Sequence, residues 1–453
     1  MRILILSQSF PNRQYPIDSE FLVALAAAWA GMGHQVRVLT VRYGSRRGVS
    51  RDALDPRFEE CVHSDPRPML ADADPMGRPA SHPFRWDRGR GEPIPSPRCR
   101  RRPIESASVD VEREARFHVV RFPFSRPRYE EQSGQFESVR YVAEFVAKGY
   151  FHLRRQILGF RPEVIDFEFA VPGALLSVPL RGLIRCRQIR TLVRVHGSDY
   201  RVPRSVPLLG VPVLRRVLDG FETVHLATAD LIDMARSDGL SSELVLNFPG
   251  VSIDLCKPDA RLRAAKRAEL GLEDKYVLLA VGRCIAVKEQ HLILRALPTL
   301  REQIPEVHFL LAGDGPELPH LRRLAAELRI EDTVTFVGAV PYERLGQVYN
   351  AGDVFVAPHY GEWFASLTIL EAAACGLPVV ANFRPHYLEP YGLAQGIHLL
   401  RFGAEDASDL ARQVLHLYCH QDQAMRMARA MMSHVRARFG VSQMAYAYLE
   451  AAR

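Results

Sequence analysis

The sequence predicts an α/β protein built from two doubly wound parallel sheets. Three observations carry this. The chain has 453 residues, too many for one hydrophobic core and enough for two domains of roughly 200 residues each. Short continuous apolar runs recur with helical segments between them, the mark of parallel strands covered on both faces. The alternation stops before Lys257-Pro258-Asp259, which reads as a hinge, and then restarts. A composition of 47% hydrophobic, 25% charged and 9% aromatic residues excludes wholesale disorder and fibrous repeats.

The first domain spans residues 1–256. RILILSQSF (2–10) is a continuous apolar run and reads as a buried strand. After the polar stretch from Pro11 to Ser19, apolar residues recur at helical spacing at Phe21, Leu22, Leu25, Ala28, Trp29 and Met32, and Gly33 stops the helix. QVRVLTV (35–41) is the second strand, so the chain starts with a βαβ unit and a right-handed crossover. From about Gly44 to Arg116 the pattern is lost. Arginine and proline dominate, and PSPRCRRRP (95–103) cannot be helix or central strand. A loop of this length is functional or disordered. FHVVRFPF (117–124) resumes the sheet, followed by a helix near 137–158 and the strands EVIDF (163–167) and TLVRV (191–195). The segment 220–252 closes the domain.

The second domain, 257–453, alternates YVLLAVG (276–282), a helix near 290–301, VHFLLAGDG (307–315) and a helix at 317–328. VTFVG (334–338), a helix at 342–351, DVFVAP (353–358), a helix from about Ser366 and PVVA (378–381) follow. These five strands make a second doubly wound sheet. The last helix is expected to cross back to the first domain. Two such domains leave a cleft lined by the carboxyl ends of their strands, where open α/β sheets bind ligands.

Charge and cysteines bound the setting. The longest strongly apolar stretch, 21–33, falls short of the about 20 residues a bilayer span needs, and the first strand contains no cleavable signal pattern. The seven scattered cysteines form no C-x-x-C pair, so neither a disulfide framework nor a zinc site is expected, and the chain reads as a soluble protein of a reducing compartment. The net charge is +7 with only five lysines. Residues 78–102 hold eight arginines against Asp87 and Glu92, nearly the whole excess. This segment reads either as attachment to an anionic membrane surface, aided by Phe84 and Trp86, or as a passive insertion. No nucleic-acid module accompanies it, so no nucleic acid is expected.

Four patches lie at strand ends. In VGRCIAVK (281–288), Arg283 and Lys288 emerge on a loop before a helix, where two cations and a helix N-terminus suit a diphosphate. By themselves they read more readily as a solvated surface of an arginine-rich chain. In GEWFASLTILEAAACGLPVVA (361–381), Ser366 is placed to N-cap a helix, and Glu371 follows roughly 7.5 Å along its axis. A carboxylate there can accept hydrogen bonds from a ribose; the plainer alternative is a helix-flank glutamate, with Glu362 a surface one. His196 in HGSD (196–199) follows a strand and precedes a glycine, which places it in the cleft rather than the core; taken alone it reads more readily as a loop hydrogen-bonder. AGDGPE (312–317) lacks G-x-G-x-x-G spacing and reads as a tight turn.

Taken in order, these patches resemble the retaining GT-B glycosyltransferases of family 4, group 1. VGR-x4-K, GDGPE, VTFVG, DVFVAP and EAAACGLPVV fall at family-like spacings, and SQSFP, GHQVRVLT and HGSD match the first half. The resemblance implies that the second domain binds a nucleoside diphosphate sugar and the first a glycan or lipid-linked acceptor, with no metal and no other cofactor. It implies catalytic roles for His196, Arg283, Lys288 and Glu362. Arg283 and Lys288 would hold the diphosphate, Glu371 the ribose hydroxyls and Glu362 the hydroxyls of the transferred sugar. Backbone N–H groups of Phe364, Ala365, Ser366 and Leu367 would lie near sugar and phosphate, Gly338 near the base, and His196 near the reacting centre. Eight residues separate Glu362 from Glu371, where the family has seven. The glycine-rich loop of many members is missing between Pro11 and Ser19, and FPGVSID replaces the common asparagine-glycine-valine-aspartate. The family context implies bacterial cell-surface polysaccharide or glycolipid synthesis by a cytoplasmic enzyme peripheral on the inner face of the membrane. A sugar-nucleotide epimerase and a non-catalytic nucleotide-sugar-binding protein are the alternatives on the same architecture.

Overall fold

A computed structural model describes residues 1–8, 20–43, 59–63, 116–124, 135–208, 210–248, 250–359, 366–383 and 388–450. The first half runs β1 (Arg2–Leu6), α1 (Glu20–Gly31), β2 (Gln35–Tyr43), β3 (Glu59–His63), β4 (Arg116–Phe124), α2 (Gln135–Gly159) and β5 (Val164–Glu168). It continues with α3 (Ser177–Cys186), β6 (Arg190–Val195), α4 (Ser198–Arg204), α5 (Gly210–Leu218), β7 (Thr223–Leu226), α6 (Ala229–Ser237) and β8 (Glu243–Leu246). Among the described residues these strands form one sheet in the order β3-β4-β2-β1-β5-β6-β7-β8. All neighbours are parallel except β3 with β4. β1 is central, and Ile3, Leu4, Ile5 and Leu6 are all fully buried, which explains an apolar run without alternation.

The second half runs α7 (Ala260–Leu270), β9 (Tyr276–Val281), α8 (His291–Gln303), β10 (Val307–Ala312), α9 (Leu318–Glu327), β11 (Val334–Gly338) and α10 (Leu345–Ala351). Then come β12 (Val354–Ala357), α11 (Leu367–Ala374), β13 (Val379–Ala381), β14 (Leu400–Arg401), α12 (Ala407–Cys419), α13 (Gln421–Arg438) and α14 (Val441–Glu450). The strands form a wholly parallel sheet in the order β11-β10-β9-β12-β13-β14. The chain reverses direction across the sheet between β9 and β12. That reversal is the topological switch point, outside whose strand ends doubly wound sheets bind ligands.

Several expectations change. β1 ends at Leu6, not Phe10, and Ser7 and Gln8 lie beyond the strand. The stretch 44–116 contains β3, antiparallel to β4. Its sequence, EECVH, is a short edge strand with two glutamates and so produces no apolar run. Residues 78–102 lie outside the described residues. The second sheet has six strands among the described residues rather than five, because β14 is two residues long and too short to show a period. The segment read as a hinge is anchored: Asp259 N–H donates to Asn350 Oδ1 at 2.7 Å, and the Asp259 carboxylate caps α7 through the N–H groups of Arg261 and Leu262.

The last helix returns to the first sheet. Met444, Ala445, Tyr448 and Leu449 share a buried cluster with Leu22, Leu25, Ala26 and Trp29 of α1. The Trp29 indole N–H donates to the Ala445 carbonyl at 3.0 Å, and its ring stacks on Tyr448 at 5.9 Å. At about 1.5–3 kcal/mol for each large apolar side chain fully buried, this contact is a major attachment of α14. Its entry is fixed by close backbone approach: a Cβ on Gly250 would lie 2.5 Å from the Val441 Cα. Among the described residues, no helix is long and apolar enough to cross a membrane.

Candidate functional site

At the switch point, β9 ends at Val281 and Gly282 turns the chain into the Arg283 loop. The geometry of that loop is imposed by its neighbour. Gly282 N–H donates to the Ala312 carbonyl, Cys284 N–H to Asp314 and Glu317 N–H to Cys284, each at 2.9 Å. The side-chain amide of Gln290 donates to the Arg283 carbonyl at 3.0 Å. A Cβ on Gly313 would sit 1.8 Å from the Gly282 oxygen, and one on Gly315 2.4 Å from the Cys284 oxygen. The glycines of GDGPE are therefore required by backbone-to-backbone packing, and this turn braces the arginine loop. Lys288 closes a single 3-10 turn, Ala286–Lys288. Across the switch point, His359 follows β12 and is 4% exposed. Burial, aided by the Lys288 charge, pushes its imidazole down to about 3, so His359 is neutral beside the lysine.

Glu371 is the fifth residue of α11 and 2% exposed. It is not the helix-flank residue of the plainer reading. The Tyr349 hydroxyl donates to its Oε2 at 2.7 Å, and burial raises the carboxyl to about 7. Ser366 occupies the N-cap position, but its side chain makes no capping bond; its Oγ pairs with Thr368 Oγ1 at 2.9 Å. Leu367 is the first residue of α11. Gly338 ends β11 with φ +81, and its carbonyl accepts from Gly313 N–H at 2.8 Å. Open space surrounds the position of its missing Cβ. Glu362, Phe364 and Ala365 lie outside the described residues.

In the first domain, His196 follows β6 and its ring packs 4.6 Å from that of Phe169. Its Nε2 lies 2.6 Å from Oε2 of Glu168, at the end of the neighbouring strand β5. Burial is the main cause that pushes His196 down to about 4, so the imidazole is neutral at pH 7. The turn is held by Asp199. Its Oδ1 accepts from the N–H groups of His196 at 3.0 Å and Gly197 at 2.7 Å, and its Oδ2 from Ala170 N–H at 2.6 Å. Gly197 has φ +137 and Phe169 φ +75; a positive φ at a phenylalanine is strain of the kind found at functional sites. An open apolar cavity of about 420 Å³ lies between α2, α3 and α5, lined by Val146, Leu175, Val178, Val213 and Val217 together with Arg216.

The structure thus brings Arg283, Lys288 and Gly338 to the carboxyl edge of one sheet and His196 to that of the other. Sequence reasoning missed His359, Glu168 and Asp199. His359 shares only part of the signal that singled out His196: it follows an apolar strand, but Tyr360 rather than a glycine comes after it. Glu168, like Asp166 and Arg194, is a charged residue in a central parallel strand, a signal visible in VIDFE and TLVRV.

Residues 263–431 match the family model described as glycosyl transferases group 1. The second domain belongs to the glycosyl transferases group 1. Among related proteins, a GDP-mannose-dependent alpha-(1-6)-phosphatidylinositol monomannoside mannosyltransferase of Mycolicibacterium smegmatis is 32% identical over 49% of this chain and 58% of its own length. A D-inositol 3-phosphate glycosyltransferase of Mycobacteroides abscessus is 38% identical over 37% of this chain and 38% of its own. The chain therefore spans less than two thirds of these relatives. Solved structures cover all of it: Anabaena HepE with UDP, at TM-score 0.63, 17% identity and 99% of that chain, and the sucrose-phosphate synthase of Thermosynechococcus elongatus, at 0.65, 19% and 100%. The glycosyl transferase domain and the sheet before it share the GT-B fold with them. Among the described residues, no group of three or more His, Cys, Asp or Glu is placed to hold a metal ion.

Proposed function

We propose that this chain is a retaining glycosyltransferase that moves a sugar from a nucleoside diphosphate sugar to an acceptor without a metal. The observation that carries this reading is the Arg283 loop, braced at the switch point of a glycosyl transferase domain with Lys288 beside it. Two fixed cations stabilise the negative charge that grows on the departing diphosphate, the task a metal performs elsewhere. Preorganised donors of this kind contribute about 3 kcal/mol each to lowering a barrier. The diphosphate oxygen then takes the proton of the attacking acceptor hydroxyl on the same face of the sugar. Glu371, buried against Tyr349, accepts from the ribose hydroxyls, Glu362 from those of the transferred sugar, and His196 contacts the sugar beside the bond that breaks.

The acceptor reading is finer and rests on the first domain. A cavity lined by apolar side chains and one arginine suits an acceptor with an apolar chain and an anionic group. The Mycolicibacterium smegmatis relative is named for a lipid acceptor, phosphatidylinositol monomannoside. A lipid-linked glycan in cell-surface synthesis at an inner membrane face fits both, with residues 78–102 attaching the enzyme to anionic lipid.

A thermal-shift panel of UDP-, GDP- and ADP-sugars tests the donor. A binding donor at 100 times its Kd stabilises the fold by about 2.7 kcal/mol. Absence of a shift with every donor overturns the reading. Turnover of a binding donor with no acceptor present indicates an epimerase, and binding without turnover across an acceptor panel a non-catalytic protein.

A further inference from the structure

The mechanism leaves unused a buried polar cluster behind His196, and the last helix of the chain completes it. Asp166 and Glu168 on β5, Arg194 on β6 and Tyr448 on α14 are all fully buried. The Arg194 guanidinium lies 4.3 Å over the Tyr448 ring, and its Nη1 is 3.8 Å from Glu168 Oε1. The Tyr448 hydroxyl donates to Asp166 Oδ1 at 2.6 Å. His225 on β7 meets the edge of the same ring at 4.5 Å. The other oxygen of Glu168 faces His196 Nε2 at 2.6 Å. Asp199 on α4 is a further charged group near the imidazole.

One guanidinium serves two buried carboxyls here. Asp166 Oδ2 and Glu168 Oε1 are both buried without a hydrogen-bond partner among the described residues, and the two side chains stand two residues apart on one face of β5. A single proton held on Asp166 and pointed at Glu168 satisfies both oxygens. Glu168 is then ionised, supported by Arg194, and accepts from His196 Nε2–H. If Glu168 instead took the proton, it would donate to Nε2 and reverse the tautomer of the imidazole.

We propose that Tyr448 is a positioning residue for His196: its ring under Arg194 holds the guanidinium against Glu168, which keeps Glu168 ionised and the His196 proton on Nε2, while its hydroxyl occupies Asp166 Oδ1 and leaves Oδ2 as the oxygen that carries the shared proton. The final helix of the chain thereby becomes part of the chemistry of the first domain. The inference rests on the reading of His196 as the group beside the transferred sugar, but its central claim is about a proton and can be observed without turnover.

The test uses the full chain with Tyr448→Leu, which removes ring and hydroxyl, and Tyr448→Phe, which keeps the ring under Arg194. The 15N signals of the His196 ring, assigned by their loss in His196→Gln, report the tautomer. Tyr448→Leu is expected to move His196 from the Nε2–H toward the Nδ1–H form. It should lower kcat roughly tenfold or more, the scale of one charged hydrogen bond, with the donor KM unchanged. Because Arg194 then lacks the ring that holds it against Glu168, the carboxylate is less well supported and the acidic limb of the pH–rate profile should move to higher pH. Tyr448→Phe should restore most of the activity and the wild-type tautomer. Should Tyr448→Leu fail to fold, Arg194→Lys keeps a cation without the flat stack and is expected to change the tautomer in the same direction. A wild-type tautomer and pH limb in the folded variant, or equal losses in Tyr448→Phe and Tyr448→Leu, overturn the proposal. Full transfer activity in His196→Gln refutes the role of His196 instead and leaves the tautomer measurement standing.

Discussion

Replacing Glu371 by glutamine should abolish a pH dependence of donor binding that the wild-type chain shows. The carboxyl is 2% exposed and its folded value is about 7 against an ordinary 4.5. Below pH 7 it therefore carries a proton, and a protonated carboxyl is a poor acceptor for two ribose hydroxyls. Donor binding must remove that proton, so affinity rises with pH and levels off above 7. At pH 5.5 the ionised form is about thirtyfold scarcer, which is about 2 kcal/mol of lost affinity at 1.36 kcal/mol per pH unit. The same shift acts on folding in the opposite sense. A group whose folded value is raised contributes stability that is complete below 4.5 and lost as pH rises through 7. The unliganded wild type should therefore forfeit about 3 kcal/mol across that window, and Glu371→Gln should not. Calorimetric titration with an intact nucleotide sugar, GDP-mannose or UDP-glucose, from pH 5.5 to 8.5 measures the binding. The intact sugar nucleotide is preferred because a free terminal phosphate titrates near pH 6. Thermal melts over the same range measure stability. Glu371→Gln should bind with a Kd independent of pH and melt no lower than wild type at pH 8. A wild-type Kd that is flat across the range, or a Glu371→Gln variant that keeps the slope, refutes the role of this carboxylate.

Arg283→Ala and Lys288→Ala should each abolish transfer and weaken nucleoside diphosphate binding while leaving the melting temperature within a few degrees; unchanged turnover in either purified variant would remove the diphosphate assignment. Asp199→Asn should destabilise the chain by on the order of 3 kcal/mol in urea denaturation, because an amide cannot accept from all three N–H groups now bound to the carboxylate. Glu371→Gln should cost more kcat/KM than Glu362→Gln, since Glu371 keeps its place in the EAAACGLPVV run whereas eight residues, not the family's seven, separate it from Glu362; equal losses would restore Glu362 to an equal role. Excess EDTA should leave the transfer rate unaffected, and strong inhibition by chelator would contradict a reaction driven by the two cations. Deleting 78–102 should reduce flotation with anionic liposomes at low salt; equal flotation of both chains would make the segment a passive loop.

The two parallel sheets were legible in the amino-acid sequence because a central parallel strand is buried on both faces and must be apolar along its length. RILIL, YVLLAV and VHFLLA satisfy that condition within six residues each. The strand-end loops were legible for the same local reason: Gly282 with Arg283, and His196 with Gly197, sit where an apolar run stops. EECVH and the two-residue β14 were not, since they exist through pairing to a neighbour and carry no period of their own. Tertiary structure alone decided the rest. It turned the glycines of GDGPE into packing contacts for the arginine loop, buried Glu371 against Tyr349, and brought Tyr448 onto Asp166 across a sequence separation of 282 residues. Apolar periodicity reports how a residue meets water, a property of its own segment. Which charged side chain meets which in the interior depends on how distant segments pack, and local sequence carries no record of that.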